Sequence, residues 1–235
     1  MKHPLPAAPE IGTYDGLSYA LFLPEGEPRA GMVLLHGASS AKENHFDFAR
    51  TAVAHDMVAL AFDQRGHGRS EGVLGADAVD DVLAMCALVR AHTPRIALRG
   101  SSLGAFMAIQ TAAADGDVDA VVAICPPTED MLLRGLRADR FEFGVDREAL
   151  EPWLESADLR GAAASLAPRT ALMLLHAQGD EQVPYTSSQE LFEAAGDPKR
   201  LLLMPGGHHR SIQHDHELQT EALRFVERAI AARAV

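Results

Sequence analysis

The chain has 235 residues, 47% of them hydrophobic and 23% charged, and carries a formal net charge of −12 at pH 7. Those values suit one soluble globular domain of the larger α/β kind rather than a disordered or fibrous chain. The acidic balance argues against a nucleic-acid-binding face, which requires clustered basic side chains. Cys86 and Cys125, the 2 cysteines present, are too few for a disulfide scaffold or a cysteine-built metal site.

The opening segment, MKHPLPAAPEIG, lacks the apolar core of roughly 7–15 residues that a signal peptide needs. No stretch approaches the roughly 18 uninterrupted apolar residues of a membrane span. The expectation is a cytoplasmic protein with no membrane partner, its cysteines reduced and buried.

Next comes IGTYDGLSYALFLPE, which alternates in polarity around a turn at Asp15-Gly16 and predicts an antiparallel hairpin at a sheet edge. Six short apolar runs follow: GMVLLH (31–36), MVALAF (57–62), RIALR (95–99), DAVVAI (119–124), TALMLLH (170–176) and RLLLM (200–204). They are continuous rather than alternating, as expected of parallel strands buried on both faces. Amphipathic helical patterns lie between them at 77–92, after Leu103, and from Glu217 to the end. Ser187 and Glu190 have the spacing of a capping box opening a further helix.

Strands alternating with helices predict a doubly wound α/β fold with a mostly parallel sheet, a single domain over 1–235. From about 127 to 168 no strand candidate occurs, yet apolar residues crowd there, among them Met131, Leu136, Phe141, Phe143 and Trp153. This interval is expected to form a small helical cap, since a lone crossover helix needs fewer residues. Its apolar residues need a surface to cover, and the carboxyl edge of the sheet is the nearest one. That places Trp153 toward the substrate pocket as a candidate binding residue.

Gly100-Ser101-Ser102-Leu103-Gly104 fits the pattern G-x-S-x-G in one register only, with Ser102 at its centre. A strand precedes it and a helix follows, the setting of a nucleophile elbow. The turn leaves Ser102 at a helix N-terminus, where free N–H groups favour developing negative charge. Ser101 reads as a small residue in a tight turn. A serine hydroxyl needs a base to take its proton, and LLLMPGGHHRS offers His208 and His209 on a loop after the last strand. An acid to orient that base belongs between serine and histidine in chain order, and LMLLHAQGDEQVP supplies Asp180, with Glu181 beside it.

Two other chemistries fit less well. His208, His209, His214 and His216 invite a metal reading, but His214 and His216 at a helix start would diverge. The glycines of RGHGRSEG lack the Lys-Ser/Thr end of a phosphate loop.

The order Ser102, Asp180, histidine, each at the carboxyl end of a strand, resembles the α/β-hydrolase superfamily over nearly the whole chain. LLHGASS (34–40) resembles its His-Gly oxyanion loop, and FDQRGHGRS (62–70) its D-x-R-G-x-G-x-S segment. The resemblance implies that the amides of Ala38 and Leu103 form the oxyanion hole. It assigns structural roles to His36, Asp63, Arg65 and His67. The family's base falls four residues after the proline of a P-G-x-x-H loop, so Pro205 selects His209 over His208. Aspartate- and cysteine-nucleophile members are disfavoured by Ser102.

The activity implied is a serine hydrolase cleaving carboxylic esters of small to medium acyl chain through an acyl-enzyme. Its partner is a small-molecule ester, and neither cofactor nor metal is called for. Thioester or small-peptide amide cleavage on the same residues, and a non-catalytic receptor on this fold, are the alternatives.

Overall fold

Strands with apolar side chains on both faces need cover on both faces, and the computed structural model, which describes residues 8–233, shows that cover. In chain order the strands are β1 (Glu10–Tyr14), β2 (Leu17–Phe22), β3 (Ala30–Leu35), β4 (Met57–Phe62), β5 (Ile96–Ser101), β6 (Ala120–Ile124), β7 (Ala171–Ala177) and β8 (Lys199–Met204). The helices are α1 (Phe46–Val53), α2 (Ala78–Arg90), α3 (Leu103–Asp115), α4 (Glu129–Arg137), α5 (Arg147–Ser156), α6 (Leu159–Ser165), α7 (Thr186–Ala194) and α8 (His216–Arg233). None of the helices among the described residues is long and apolar enough to cross a membrane.

All the strands join one 8-stranded sheet in the order β1-β2-β4-β3-β5-β6-β7-β8. β2 runs antiparallel to β1 and to β4, and every pairing from β4 through β8 is parallel. The expected doubly wound sheet with an antiparallel edge hairpin is therefore present. Along β3, Val33 and Leu35 point into one core with residues of α2, α3 and α7, while Met32 and Leu34 point into the other with α1 and α8. β3, β4, β5, β6 and β7 are buried throughout. RLLLM differs: β8 is the sheet edge, so its residues are only half-buried or exposed.

The interval 127–168 holds α4, α5 and α6, each opened by a side-chain cap. Thr128 accepts from the Met131 amide, Asp146 from Ala149 and Asp158 from Gly161. α4 packs on α5, whereas α6 packs on α3 and α7 as an ordinary sheet-covering helix. Arg137 clasps α4 to α5 through Glu151, at 2.7 Å, and Glu155. A short bridge pairs Leu74 with Val145 and seats this segment on the loop after β4.

Two local expectations need correction. The capping box at Ser187 and Glu190 does not form: α7 starts at Thr186, and the buried Ser187 hydroxyl donates to the Pro126 carbonyl at 2.9 Å. A tertiary acceptor thus takes the hydroxyl that would have capped the helix. α1, only 8 residues long, was not foreseen; its Phe48, Ala49 and Ala52 fill the core beneath β3 and β4.

The tightest crossing lies where α3 leaves β5. A Cβ on Gly104 would collide with the Leu35 and His36 carbonyls, and one on Gly100 with the Gly104 backbone. Neither obstacle is a flexible side chain. Gly104→Ala is therefore expected to lower unfolding free energy by at least about 2 kcal/mol, whereas Gly26→Ala, with nothing within 4 Å, should change it by less than about 0.5 kcal/mol. Denaturant titration of the two variants measures the difference, and equal stabilities would contradict this packing.

Candidate active site

β5 delivers Ser102 to the carboxyl edge of the sheet. Its backbone sits at φ 52° and ψ −120°, as the N-cap of α3. A serine avoids that region, at a cost of order 1–3 kcal/mol. The conformation is held from both sides, by the Ser102 amide donating to the Ile124 carbonyl at 2.8 Å and by the glycines that let α3 approach β3. Ser101 closes the strand, buried, one residue earlier.

The loop after β7 carries Asp180, whose side chain is fully buried. Oδ1 accepts the amides of Gln182, at 2.8 Å, and Val183, at 2.9 Å. Oδ2 accepts from His209 Nδ1 at 2.7 Å and lies 3.3 Å from His176 Nε2. Burial alone would raise the Asp180 pKa, but the hydrogen bonds from His176, His209 and the two amides hold it well below the usual carboxylate range. Glu181 is exposed, and its carboxylate accepts the His209 main-chain N–H rather than the ring. His208 is exposed and its Nδ1 accepts the Arg210 amide at 3.3 Å. The structure therefore brings His209, and not His208, onto Asp180.

His176 went unremarked within the β7 apolar run. It is fully buried, with Nε2 3.0 Å from the Val183 carbonyl and Nδ1 2.7 Å from the Ser188 hydroxyl. Two acceptors around Nε2 assign the proton there, so the Ser188 hydroxyl donates to Nδ1. The signal for it was available: a histidine inside a strand buried on both faces must find partners. The Asp180 loop is also tied to the His209 loop, since the amides of Gln178 and Gly179 donate to the carbonyls of Met204 and Gly206.

Ala38 follows β3. Among the described residues, neither its N–H nor that of Leu103 makes a hydrogen bond to the chain. Both residues line a cleft of about 630 Å³ together with Ser102. The loop around Ala38 is braced by the segment after β4. The Ser39 amide donates to His67 Nε2 at 3.1 Å, and the Gln64 amide donates to His36 Nε2 at 3.0 Å. Asp63 accepts from the Lys42 amide, the Lys42 ammonium and the Arg69 amide, the ammonium at 2.5 Å and buried with it. Arg65 grips Asp81 through Nε and reaches the Asp15 carbonyl of the edge hairpin.

Ser102 and His209 also share a smaller cavity of about 130 Å³ with Gly37, Ala38 and Gln182. Trp153 lines neither space. It stands one layer back, half-buried, its ring edge-on to Phe106 at 5.8 Å. With Leu103, Leu132 and Phe141, which also wall the larger cleft, it encloses a void of about 10 Å³.

Among the described residues, the one group of ligand-type side chains whose atoms lie within 4.8 Å of each other is Cys125, Asp180 and His209. Asp180 and His209 use those atoms on each other, and burial pushes the Cys125 thiol up, keeping it protonated. The histidines of the 208–216 segment do not form such a group.

The family model described as serine aminopeptidase, S33, matches residues 26–138, which include Ala38 and Ser102 and stop short of Asp180 and His209. An uncharacterized protein, YfhR, of Escherichia coli O157:H7 is 25% identical over 211 residues, 86% of this chain and 71% of its own length. Two solved structures overlay nearly the whole chain. Ferulic acid-bound Est1E from Butyrivibrio proteoclasticus has a TM-score of 0.75 at 20% identity, covering 94% of this chain and 99% of its own. A thermostable carboxyl esterase from Bacillus coagulans has a TM-score of 0.78 at 14% identity, covering 95% and 99%.

The bracing of the Ala38 loop has a pH signature. Burial, opposed by the Nδ1–H bond to the Gly37 carbonyl, lowers the His36 pKa from 6.5 to about 4. The unfolded chain therefore takes up a proton below pH 6.5 that the folded protein refuses until about pH 4. Stability is complete above the first value and falls toward the second, by about 3 kcal/mol from this group. Burial lowers His45 and His67 as well, with the same sign. Unfolding free energy across that window should vary less steeply in His36→Gln; an unchanged slope would contradict the assignment.

Neighbours at this identity speak to architecture rather than substrate, and their overlay covers 94% and 95% of the chain. On that basis the chain has the fold of these esterases, that of the α/β hydrolases.

Proposed function

We propose that the protein is a serine hydrolase that cleaves carboxylic esters of small to medium acyl chain, with Ser102 as nucleophile, His209 as base and Asp180 as its orienting acid. The observation that carries this reading is the Asp180–His209 bond of 2.7 Å on a ring that shares a cavity with Ser102. Because Nδ1 donates to Asp180, Nε2 is the nitrogen left to accept a proton, and it makes no bond to the chain among the described residues.

In this mechanism Ser102 Oγ attacks the acyl carbon as His209 Nε2 takes its proton. The free amides of Ala38 and Leu103 receive the charge that develops on the carbonyl oxygen. The imidazolium, steadied by the Asp180 carboxylate, returns the proton to the leaving alcohol. Water, deprotonated by the same ring, then hydrolyses the acyl-enzyme. No step calls for a cofactor or metal. The partly apolar cleft of about 630 Å³ supports the size of acyl chain, and Trp153 shapes it through Leu103 and Leu132, which stand in front of it. The unpaired, buried Cys86 and Cys125 fit a cytoplasmic protein.

A second reading, amide cleavage of small peptides, is favoured by the serine aminopeptidase match over 26–138. Both use the same residues, since the machinery defines acyl transfer and not the leaving group.

A panel of p-nitrophenyl esters, thioesters and aminoacyl p-nitroanilides decides among them, with ester turnover expected to lead. Ser102→Ala and His209→Ala should each lower ester kcat by roughly 10⁴–10⁶. Ser101→Ala and His208→Ala should keep most activity. If His208→Ala is dead and His209→Ala active, the base is misassigned; no turnover of any class would leave a ligand-binding protein on this fold.

A further inference from the structure

The cleft that contains Ser102, Ala38 and Leu103 also has the apolar side chains of Met131, Leu132, Phe141 and Val183 in its lining. Three exposed arginines line it as well, Arg134 on α4, Arg140 just beyond it and Arg210 next to His209 in sequence. The chain as a whole has a net charge of −12, so a cluster of guanidiniums around one opening runs against the background.

The pairing pattern sharpens the contrast. On the α4–α5 segment, Arg137 is matched to Glu151 and Glu155, and Arg147 to Asp139. Arg134 and Arg140, which line the cleft, have no carboxylate within ion-pair distance among the described residues, and neither has Arg210. Asp130 lies one helical turn before Arg134 without pairing to it. Two carboxylates also line the cleft, Glu142 and Glu181, and Glu181 is engaged by the His209 amide at 3.2 Å and by Gln182. Three guanidiniums therefore face two carboxylates, one of them occupied. Guanidinium groups present forked donors suited to carboxylate or phosphate oxygens.

We propose that the cleft selects an anionic substrate, an ester bearing a carboxylate or phosphate remote from the scissile carbonyl, held by Arg134, Arg140 and Arg210. The inference rests on the hydrolase reading above and names its substrate class. The apolar side chains take the chain between the two ends, and the arginines take the charge. Solvent-exposed pairs of this kind contribute about twofold each at the lower end of their range, so the three together give a preference of roughly tenfold.

The test compares kcat/KM for the monoanionic p-nitrophenyl adipate with that for the neutral p-nitrophenyl hexanoate, which places the charge on the acyl side. A second pair, 3-carboxyphenyl acetate against phenyl acetate, places it on the alcohol side. The expected result is a preference of roughly tenfold for the anion in one of the pairs, shrinking as salt is raised. In Arg134→Gln/Arg140→Gln that ratio should fall to about twofold, and in Glu142→Gln it should rise. Equal kcat/KM within both pairs, or a ratio untouched by the double arginine variant, would overturn the anionic assignment while leaving the hydrolase reading intact. Failure to cleave any of the four esters would remove both.

Discussion

The buried carboxylate of Asp180 is the interaction on which the site depends. A charge without water is costly unless donors replace the lost solvent, and here two amides, the His209 ring and the His176 ring surround it. The amides of Gln182 and Val183 fix Oδ1, which leaves Oδ2 aimed at His209 Nδ1. That in turn settles which nitrogen of His209 is protonated and which faces the cavity. The β7 loop, the β8 loop and α7, through Ser188, are all enlisted to hold one oxygen in place.

Ser102 presents the complementary problem. Its left-handed backbone exposes the hydroxyl at the tip of a strand, and the surroundings rather than the serine itself enforce that shape. Gly100 and Gly104 permit α3 to press on β3, and the Ala38 loop is held in turn by His36, Asp63 and His67. The Lys42–Asp63 pair matters less for stability than for position, since a buried ion pair roughly breaks even on desolvation. It locks the segment after β4 to the start of the turn before α1. The α4–α5 segment rests on the same support, where the Phe143 ring lies 4.0 Å from that of His67, so that segment and the Ala38 loop are braced together.

Much of this was legible in the chain. The apolar runs became strands because a doubly covered sheet demands uninterrupted hydrophobic residues, and RLLLM misled only because the last strand of a sheet has a bare edge. Ser102 was singled out by the single register of G-x-S-x-G and Asp180 by chain order, whereas chain order left both His208 and His209 and only the resemblance to a P-G-x-x-H loop chose between them. Lys42 and Gln64 were not singled out, because each is a polar residue made tolerable by a partner distant in sequence, and His176 was hidden inside an apolar run although its partners Val183 and Ser188 lie nearby. Ser187 failed for the same reason, its hydroxyl claimed by Pro126. The arginines at the cleft could not be separated from other surface arginines until their pairing was visible.

The most direct test of the Ser102–His209–Asp180 account is peptide mapping by mass spectrometry after treatment with a fluorophosphonate. The account predicts one phosphonylated residue, Ser102, with labelling slowed by orders of magnitude in His209→Ala and little changed in His208→Ala. Label on Ser101, or equal labelling rates in the two histidine variants, would contradict it.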